Sequence, residues 1–331
     1  MRPIVVSGSA HPALAEDLAR ELGCELASCL LRRFPDGEQE VEVQTTVRGQ
    51  SVFILQPLGH PVGEHLLELL LLADACRRAG ASSVSAVVPY LGLARQDRVT
   101  SEGQPLGAKV VADALGTGGL SQVVAVDLHS PVIASCVEAP VTHLTAVPAV
   151  VEALRPLVHE DSVVVAPDLG AVKLADAYAR LLGLPLAVIY KVRASPLEVA
   201  VRRVAGDVRD RRPLIVDDMI STGTTLEAAA GALVEHGSRR EVLMAATHGL
   251  FVGSATERLD RPEVVRVVVT DSLPPAPRGP ARLEVVRLAP LLAGAVRRIV
   301  GERRPGDVDP RDLERRTEGR ASRGAEEARP P

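Results

Sequence analysis

The stretch Leu214-Ile-Val-Asp-Asp-Met-Ile-Ser-Thr-Gly-Thr-Thr225 decides how this chain is interpreted. It begins as an apolar run typical of a strand that is buried on both faces. Two carboxylates, Asp217 and Asp218, follow this run, and then a loop of small and hydroxyl-bearing residues opens a helix. Backbone amides at a helix N-terminus, together with Ser and Thr hydroxyls, make a site for a phosphate dianion. The stretch therefore predicts a strand, an anion-binding loop and a helix, in that order.

Two interpretations of this stretch compete. In the functional one, the phosphate is bound by Ser221, Thr222, Gly223, Thr224 and Thr225. Asp217 and Asp218 then accept hydrogen bonds from the hydroxyls of a sugar that carries this phosphate. In the structural one, Ser221 or Thr222 merely caps a helix after an ordinary strand. The functional interpretation is preferred, because the other leaves two adjacent acids at the end of a buried strand unexplained.

Outward from this stretch, Val- and Ile-rich runs alternate with segments of helical periodicity. The predicted strands are 4–6, 52–56, 84–89, 123–128, 163–167, 186–190, 214–218, 242–247 and 264–270. The clearest predicted helices, each followed by a glycine, are 12–22, 64–79 and 225–236. A repeated order of strand and helix is typical of parallel sheets. Ligands are then expected beyond the carboxyl ends of the strands.

The length of the chain, 331 residues with 46% hydrophobic content, allows two domains. Residues 123–129, Val-Val-Ala-Val-Asp-Leu-His, repeat the design of 214–218, an apolar strand that ends in polar groups. We therefore predict an α/β fold with domains at 1–145 and 146–301, the last helix, about 289–301, being able to pack back on the N-terminal domain. Residues 302–331 are rich in charged residues and Pro, which predicts a disordered tail.

Charge and composition argue against several classes of protein. The formal net charge of -4 offers no general attraction to nucleic acid. No apolar run approaches the roughly 20 residues that span a bilayer, and the N-terminus does not resemble a signal peptide. The four cysteines form no CxxC pair and are expected to be buried, reduced thiols. We expect a cytoplasmic protein that binds neither membrane nor nucleic acid.

Further segments share their order with one enzyme family. They are Phe34-Pro-Asp-Gly-Glu38, Val88-Pro-Tyr-Leu-Gly-Leu-Ala-Arg-Gln-Asp-Arg98, Val126-Asp-Leu-His129, Ala166-Pro-Asp-Leu-Gly170 and Lys191-Val-Arg-Ala-Ser-Pro-Leu-Glu-Val199. With 214–225 they resemble the ribose-phosphate diphosphokinases (phosphoribosyl pyrophosphate synthetases) over about 4–300. The resemblance implies two phosphoribosyltransferase-like domains, each with a central, mainly parallel sheet flanked by helices. It also implies transfer of the diphosphate of ATP, with Mg²⁺, to the C1 hydroxyl of ribose 5-phosphate by an enzyme that is at least a dimer.

The resemblance gives roles to individual residues. ATP would be bound by Arg95, Gln96 and Asp97 and, from a neighbouring subunit, by Phe34, Asp36, Gly37 and Glu38. Metal and triphosphate would be bound at His129 and Asp168, and the catalytic basic pair would be Lys191 and Arg193. Without the family, Phe34 passes for a core aromatic and Asp36-Gly37 for a hairpin turn. A single histidine beyond a strand is likewise more often structural than functional.

The chain departs from the commonest class of that family at three positions. Val192 stands where that class has Arg, Ser221 where it has Asp, and Thr224 where glycine is usual. The first two departures look like the class III branch. Two alternative functions stay open: a non-catalytic regulatory subunit of a synthetase complex, and a phosphoribosyltransferase. The retained His129 and Lys191 argue against the former, and the latter would not need the first-half segments.

Overall fold

The computed structural model describes residues 3–130, 132–192 and 201–301, so the predicted tail and Arg193 lie outside the described residues. The strands are β1 (Pro3–Ser7), β2 (Cys29–Arg33), β3 (Gln39–Val43), β4 (Ser51–Leu55), β5 (Ser83–Val88), β6 (Gln122–Val126), β7 (Val141–Leu144), β8 (Ser162–Ala166), β9 (Leu186–Val192), β10 (Val201–Ala205), β11 (Arg212–Ile220), β12 (Val242–Gly249), β13 (Val264–Thr270) and β14 (Leu283–Val286). The helices are α1 (Pro12–Leu22), α2 (Val62–Arg78), α3 (Gly107–Thr117), α4 (Val132–Cys136), α5 (Val147–Leu154), α6 (Val172–Leu182), α7 (Thr224–Glu235), α8 (Ala255–Leu259) and α9 (Ala289–Ile299). Every strand and helix predicted from periodicity is therefore confirmed.

The first sheet has the strand order β1-β4-β5-β6-β7, and all its neighbouring strands are parallel. Strands β2 and β3 stand apart as an antiparallel hairpin, as the Asp36-Gly37 pair predicts. At the hairpin tip the Phe34 amide donates to the Glu38 carbonyl at 2.9 Å. Gly37 has φ +94°, a conformation that glycine adopts without steric cost.

The second sheet has the order β10-β9-β8-β11-β12-β13-β14 and is parallel except at the β9–β10 pair. Every strand of the first sheet ends before residue 145 and every strand of the second begins after residue 161. The predicted class, α/β with a mainly parallel sheet in each half, is confirmed. Carboxyl ends of parallel strands share one edge of a sheet, so the ends of β8, β11 and β12 lie side by side.

An apolar layer joins the two sheets. One cluster of buried side chains includes Val5 and Phe53 from the first sheet and Leu214 from the second, with Tyr178 of α6 and Leu292 of α9. Helix α9 contacts α1, so the end of the described chain packs on its beginning. Because the two sheets share this buried layer, their relative position is held by hydrophobic burial as well as by polar contacts.

The structure bears on two predictions, the absence of membrane-spanning segments and the state of the cysteines. No helix among residues 3–130, 132–192 and 201–301 has both the length and the apolarity needed to cross a bilayer. All four cysteines are free, as expected, but only Cys76 is buried. Burial was therefore predicted wrongly for Cys24, Cys29 and Cys136, which lie at partly open positions.

Candidate active site

A cavity of about 890 Å³ opens between the carboxyl ends of the two sheets. Its polar lining comes from both halves of the chain and includes Arg98, Asp127, His129, Asp168, Asp217 and Asp218. The sequence indicated each of these strand ends separately, and the fold brings them to one space. A polar cavity at the carboxyl ends of parallel strands is the usual ligand site of an α/β fold.

One polar contact within this cavity joins the two sheets. His129 follows β6 of the first sheet, and its Nδ1 lies 2.5 Å from Oδ2 of Asp218 in β11. The hydrogen bond with Asp218 raises the pKa of His129 above its usual range. Burial acts to raise the pKa of Asp218, but the hydrogen bond and charge of His129 outweigh burial and leave that pKa low. The pair therefore favours an imidazolium and a carboxylate.

Asp217 is in the opposite electrostatic state. Burial, followed by the charge of Asp218, raises its pKa from 3.8 to about 7, although its Oδ1 accepts the amide of Asp218 at 2.9 Å. The nearby charge of Asp168 adds to the effect. Two adjacent acids with such different pKa values are a feature of functional sites.

Because the raised pKa means that ionising Asp217 destabilises the fold, substitution of Asp217 should change how the free energy of unfolding depends on pH. Below about pH 4 the acid is protonated in folded and unfolded chains alike. Between about pH 4 and 7 only the unfolded chain ionises, so the free energy of unfolding falls as the pH rises. Asn cannot ionise, so Asp217→Asn should be more stable than the parent above pH 7 by about 2 to 4 kcal/mol.

The measurement is urea denaturation from pH 4 to 8 with a chelator present. The matched control is Glu102→Gln, which removes an exposed carboxylate but keeps Asp217, so its free energy of unfolding should depend on pH as the parent's does. A parent and an Asp217→Asn variant of equal stability at pH 8 would contradict the prediction.

The phosphate loop, defined as residues 221–225, joins β11 to α7. Helix α7 begins at Thr224, its N-cap is Gly223, and no side chain caps it. Neither Ser221 nor Thr222 is thus a helix cap, which removes the main support for the structural interpretation. Gly223 has φ +76°, where an L side chain would be strained even though its Cβ would meet Leu259 and Ala255 only at ordinary van der Waals distances. The loop presents uncapped amides at a helix N-terminus, the arrangement that binds phosphate.

Arg258 supports the phosphate loop, and the sequence did not indicate it. From α8 its Nη1 donates to the Thr222 carbonyl and to Thr224 Oγ1, both at 2.9 Å. Its Nε pairs with Glu227 at 3.2 Å. The side chain of Thr224 is thus accommodated as a hydrogen-bond acceptor. Arg258 lies on a short helix 34 residues from Thr224. Nothing in the sequence connects an arginine at that position to the loop.

Removal of the Arg258 side chain should weaken binding at this loop. Because two hydrogen bonds are lost, we expect Arg258→Ala to raise KM for the phosphorylated pentose that the family resemblance implies about tenfold and to change kcat less than about twofold. The matched control is Arg261→Ala, because Arg261 also pairs with Glu227 but, within the described part of the chain, makes no hydrogen bond to the loop. Steady-state kinetics measure both constants. Equal effects of the two substitutions would show that Arg258 acts through Glu227 alone.

The other residues predicted from the first half divide into two groups. Arg95 and Asp97 follow β5 and lie near His129, since their charges shift its pKa in opposite directions. Gln96 is exposed beside them, and its carbonyl accepts the amide of Ala108 at 3.1 Å. The hairpin residues Phe34, Asp36, Gly37 and Glu38 do not line the cavity of their own chain. Phe34 is 44% exposed at the tip, so it is not the core aromatic of the alternative interpretation.

The predicted basic pair is only partly within the described structure. Lys191 belongs to β9, directly after Ile189 and Tyr190, which line the cavity. Its backbone is therefore next to the site. Arg193 lies outside the described residues.

The predicted metal residues, His129 and Asp168, line the same cavity. Oδ1 of Asp168 accepts the amides of Gly170 and Ala171 at 2.8 and 3.2 Å, which fixes the carboxylate after β8. In the described part of the chain no three His, Cys, Asp or Glu side chains converge to hold an ion by themselves. Mg²⁺ keeps several waters and is often bound mainly by substrate phosphates, so a sparse carboxylate site fits it better than a closed zinc site.

Comparison with known proteins agrees with this geometry. Residues 3–119 match the family model described as the N-terminal domain of ribose phosphate pyrophosphokinase, and residues 149–271 match the phosphoribosyl transferase domain. Ribose-phosphate pyrophosphokinase of Aquifex aeolicus is 42% identical over 89% of this chain and 95% of its own length. The enzyme of Staphylococcus aureus (strain Mu50) is 38% identical over 89% and 93%.

A solved structure gives the same result. Phosphoribosylpyrophosphate synthetase from Mycobacterium smegmatis superposes with a TM-score of 0.84 at 36% identity, covering 91% of this chain and 99% of that one. The fold and the site thus define a transferase built from two phosphoribosyltransferase-type domains. The chain belongs to the ribose-phosphate pyrophosphokinase family.

Proposed function

We propose that this protein transfers the diphosphate of ATP to the C1 hydroxyl of ribose 5-phosphate, giving 5-phosphoribosyl 1-diphosphate and AMP. The observation that carries the proposal is the contact between His129 and Asp218, which joins the two sheets beside an uncapped phosphate loop. A pentose bound by its 5′-phosphate at that loop extends toward the first sheet. Its reacting end then faces the side of the cavity where Arg95 and Asp97 lie.

Each residue has a defined task in this reaction. The phosphate loop holds the 5′-phosphate through its amides, and Asp217 and Asp218 accept hydrogen bonds from ribose hydroxyls. The C1 oxygen bonds to the β-phosphorus of ATP, the bond from that phosphorus to the α-β bridging oxygen breaks, and the hydroxyl proton is released. Negative charge grows on the departing AMP and on the transferred oxygens. Lys191 and Arg193 stabilise that charge as fixed cations.

Magnesium belongs to the same proposal. Asp168, and His129 once its imidazolium has given up a ring proton, would help hold the ion together with the oxygens of the triphosphate. When bound, the ion would neutralise part of the negative charge of the phosphates. The lining of the cavity supports this role, because Asp168 is already fixed by two backbone amides.

The hairpin tip serves a neighbouring subunit in this proposal. Phe34 is exposed, and Glu38, at the other end of the same tight turn, does not line the cavity of its own chain. An aromatic ring and carboxylates at such a tip suit the adenine of an ATP bound to a second copy. We therefore propose an assembly of at least two subunits, in the cytoplasm, with ATP and ribose 5-phosphate as ligands.

Of the two alternatives, the phosphoribosyltransferase is disfavoured by the match of residues 3–119 to a domain named for the pyrophosphokinases. The test is incubation of the purified protein with ATP, ribose 5-phosphate and Mg²⁺, without a partner protein. Equal amounts of AMP and phosphoribosyl diphosphate are expected, and none with a chelator. Binding of both substrates without formation of AMP would instead identify a regulatory subunit. Release of pyrophosphate from phosphoribosyl diphosphate and a nucleobase would identify the transferase.

A further inference from the structure

A polar network joins the two sheets from Asp127, a partly buried residue of the cavity lining, to buried residues behind it. Asp127 follows β6 of the first sheet, and its Oδ2 accepts hydrogen bonds from Thr247 Oγ1 of β12 at 2.6 Å and from the Ala146 amide at 2.9 Å. The carbonyl of Asp127 accepts from Nε2 of His248 at 3.2 Å. One residue of the first sheet thus binds two successive residues of the second.

Both ring nitrogens of His248 make hydrogen bonds in this network. A carbonyl oxygen can only accept, so Nε2 of His248 carries the proton and donates. Burial lowers the pKa of His248, which favours the neutral ring, and its Nδ1 then accepts from Ser272 Oγ at 2.9 Å. The same ring meets Tyr90, which follows β5, edge to face at 5.0 Å. The imidazole is therefore held from both sides of the domain junction.

The backbone of Asp127 is itself unusual. Its φ is +38°, outside the regions that residues other than glycine commonly adopt. Such a conformation persists only where the surroundings enforce it, and it is concentrated at functional sites. Here the amide of Asp127 is bound to the Leu144 carbonyl at 2.9 Å, while its side chain is bound to Thr247.

The network lies beside the residues that face the substrates. His129 is two residues from Asp127 in the chain. In the second sheet, His248 is the register partner of Met219, which directly follows Asp218. Thr247 and His248 are buried and do not line the cavity, so they have no access to a ligand there.

We propose that Asp127, Thr247 and His248 form an interdomain joint that positions the ATP side of the site against the ribose-phosphate side. These three are positioning residues for the reaction given under Proposed function, on which the inference rests. In that reaction each substrate is bound mainly by one half of the chain. A loosened joint therefore leaves each substrate bound but destroys the alignment of the C1 oxygen with the β-phosphorus, an effect on kcat.

The test begins with Thr247→Val, which removes the hydroxyl and keeps the shape of the side chain. We expect kcat to fall about tenfold or more, with KM for ATP and for ribose 5-phosphate each within about threefold of the parent. Thr247→Ser, which restores the hydroxyl, should recover kcat to within about threefold of the parent. The matched control is Ser162→Ala, because Ser162 carries a buried hydroxyl of the same sheet whose partner is close in the chain, the amide of His159, from which it accepts at 2.9 Å.

A second measurement does not depend on activity. Hydrogen exchange of the segment 123–130 should become faster in Thr247→Val and stay at the parent rate in Ser162→Ala. The proposal of an interdomain joint would be wrong if Thr247→Val exchanged at the parent rate and kept kcat within twofold of the parent. It would also be wrong if the two substitutions had equal effects, which would indicate general destabilisation. If the parent protein makes no AMP, the proposed function fails, while exchange still decides whether the joint exists.

Discussion

Lys191→Ala should lower kcat about a thousandfold while changing KM for ribose 5-phosphate less than about threefold. A fixed cation is most useful where charge develops, and here charge develops on the transferred phosphoryl oxygens and on AMP only as the reaction proceeds. Lys191 follows the cavity-lining Tyr190 in β9, so its backbone lies next to the cavity. The proposed site for the sugar phosphate is elsewhere, at the phosphate loop after β11, so binding of the sugar should survive the substitution.

Initial rates of AMP formation over a range of both substrates give kcat and KM separately. The matched control is Lys109→Ala, because Lys109 is an exposed lysine of α3 that pairs with Asp113. It should behave as the parent does. If Lys191→Ala raised KM for ribose 5-phosphate and left kcat intact, Lys191 would be a ground-state binding residue and its catalytic role would be wrong.

Asp218→Asn should lower kcat/KM for ribose 5-phosphate about a hundredfold. Asp218 has a lowered pKa and stays ionised, so we expect it to be the stronger of the two acceptors for the hydroxyls of a bound sugar. Its substitution also removes the negative charge that pairs with His129 across the domain junction. Two effects thus coincide at one carboxylate, the loss of a charged acceptor for the sugar and the weakening of the hydrogen bond to His129 from a charged to a neutral one.

The comparison that isolates this effect uses the neighbouring acid. Asp217 has a pKa of about 7, so at pH 6 a substantial part of it is already neutral, and Asp217→Asn should cost much less activity there than Asp218→Asn. Asp113→Asn, at an exposed position of α3, serves as the control for loss of a surface carboxylate. Equal losses for Asp217→Asn and Asp218→Asn at pH 6 would contradict the assignment of charge.

Much of the fold could be predicted because strand and helix periodicity are local properties of sequence. The central strands have continuous Val and Ile runs, since both of their faces are buried. The strands that were missed outside the hairpin, β7, β10 and β14, are all at sheet edges. An edge strand buries less surface, and its sequence need not carry a strong apolar signal. The sequence therefore indicated the middle of each sheet better than its borders.

The sequence alone determined the parts of the site that are contiguous in the chain. Asp217, Asp218 and the phosphate loop follow one another, and the physics of a strand that opens a helix is enough to predict an anion site there. Resemblance to the family added the separate segments and their proposed roles.

Only the tertiary structure decided which of these residues meet. His129 contacts Asp218 across 89 residues, and Thr247 reaches Asp127 across 120. These contacts depend on how two sheets pack through a shared apolar layer, and the packing sums many weak, nonlocal contacts. Periodicity in one sheet contains no information about its distance from the other. The chemistry of each strand end could therefore be predicted from the sequence, whereas the convergence of these strand ends on one cavity could not.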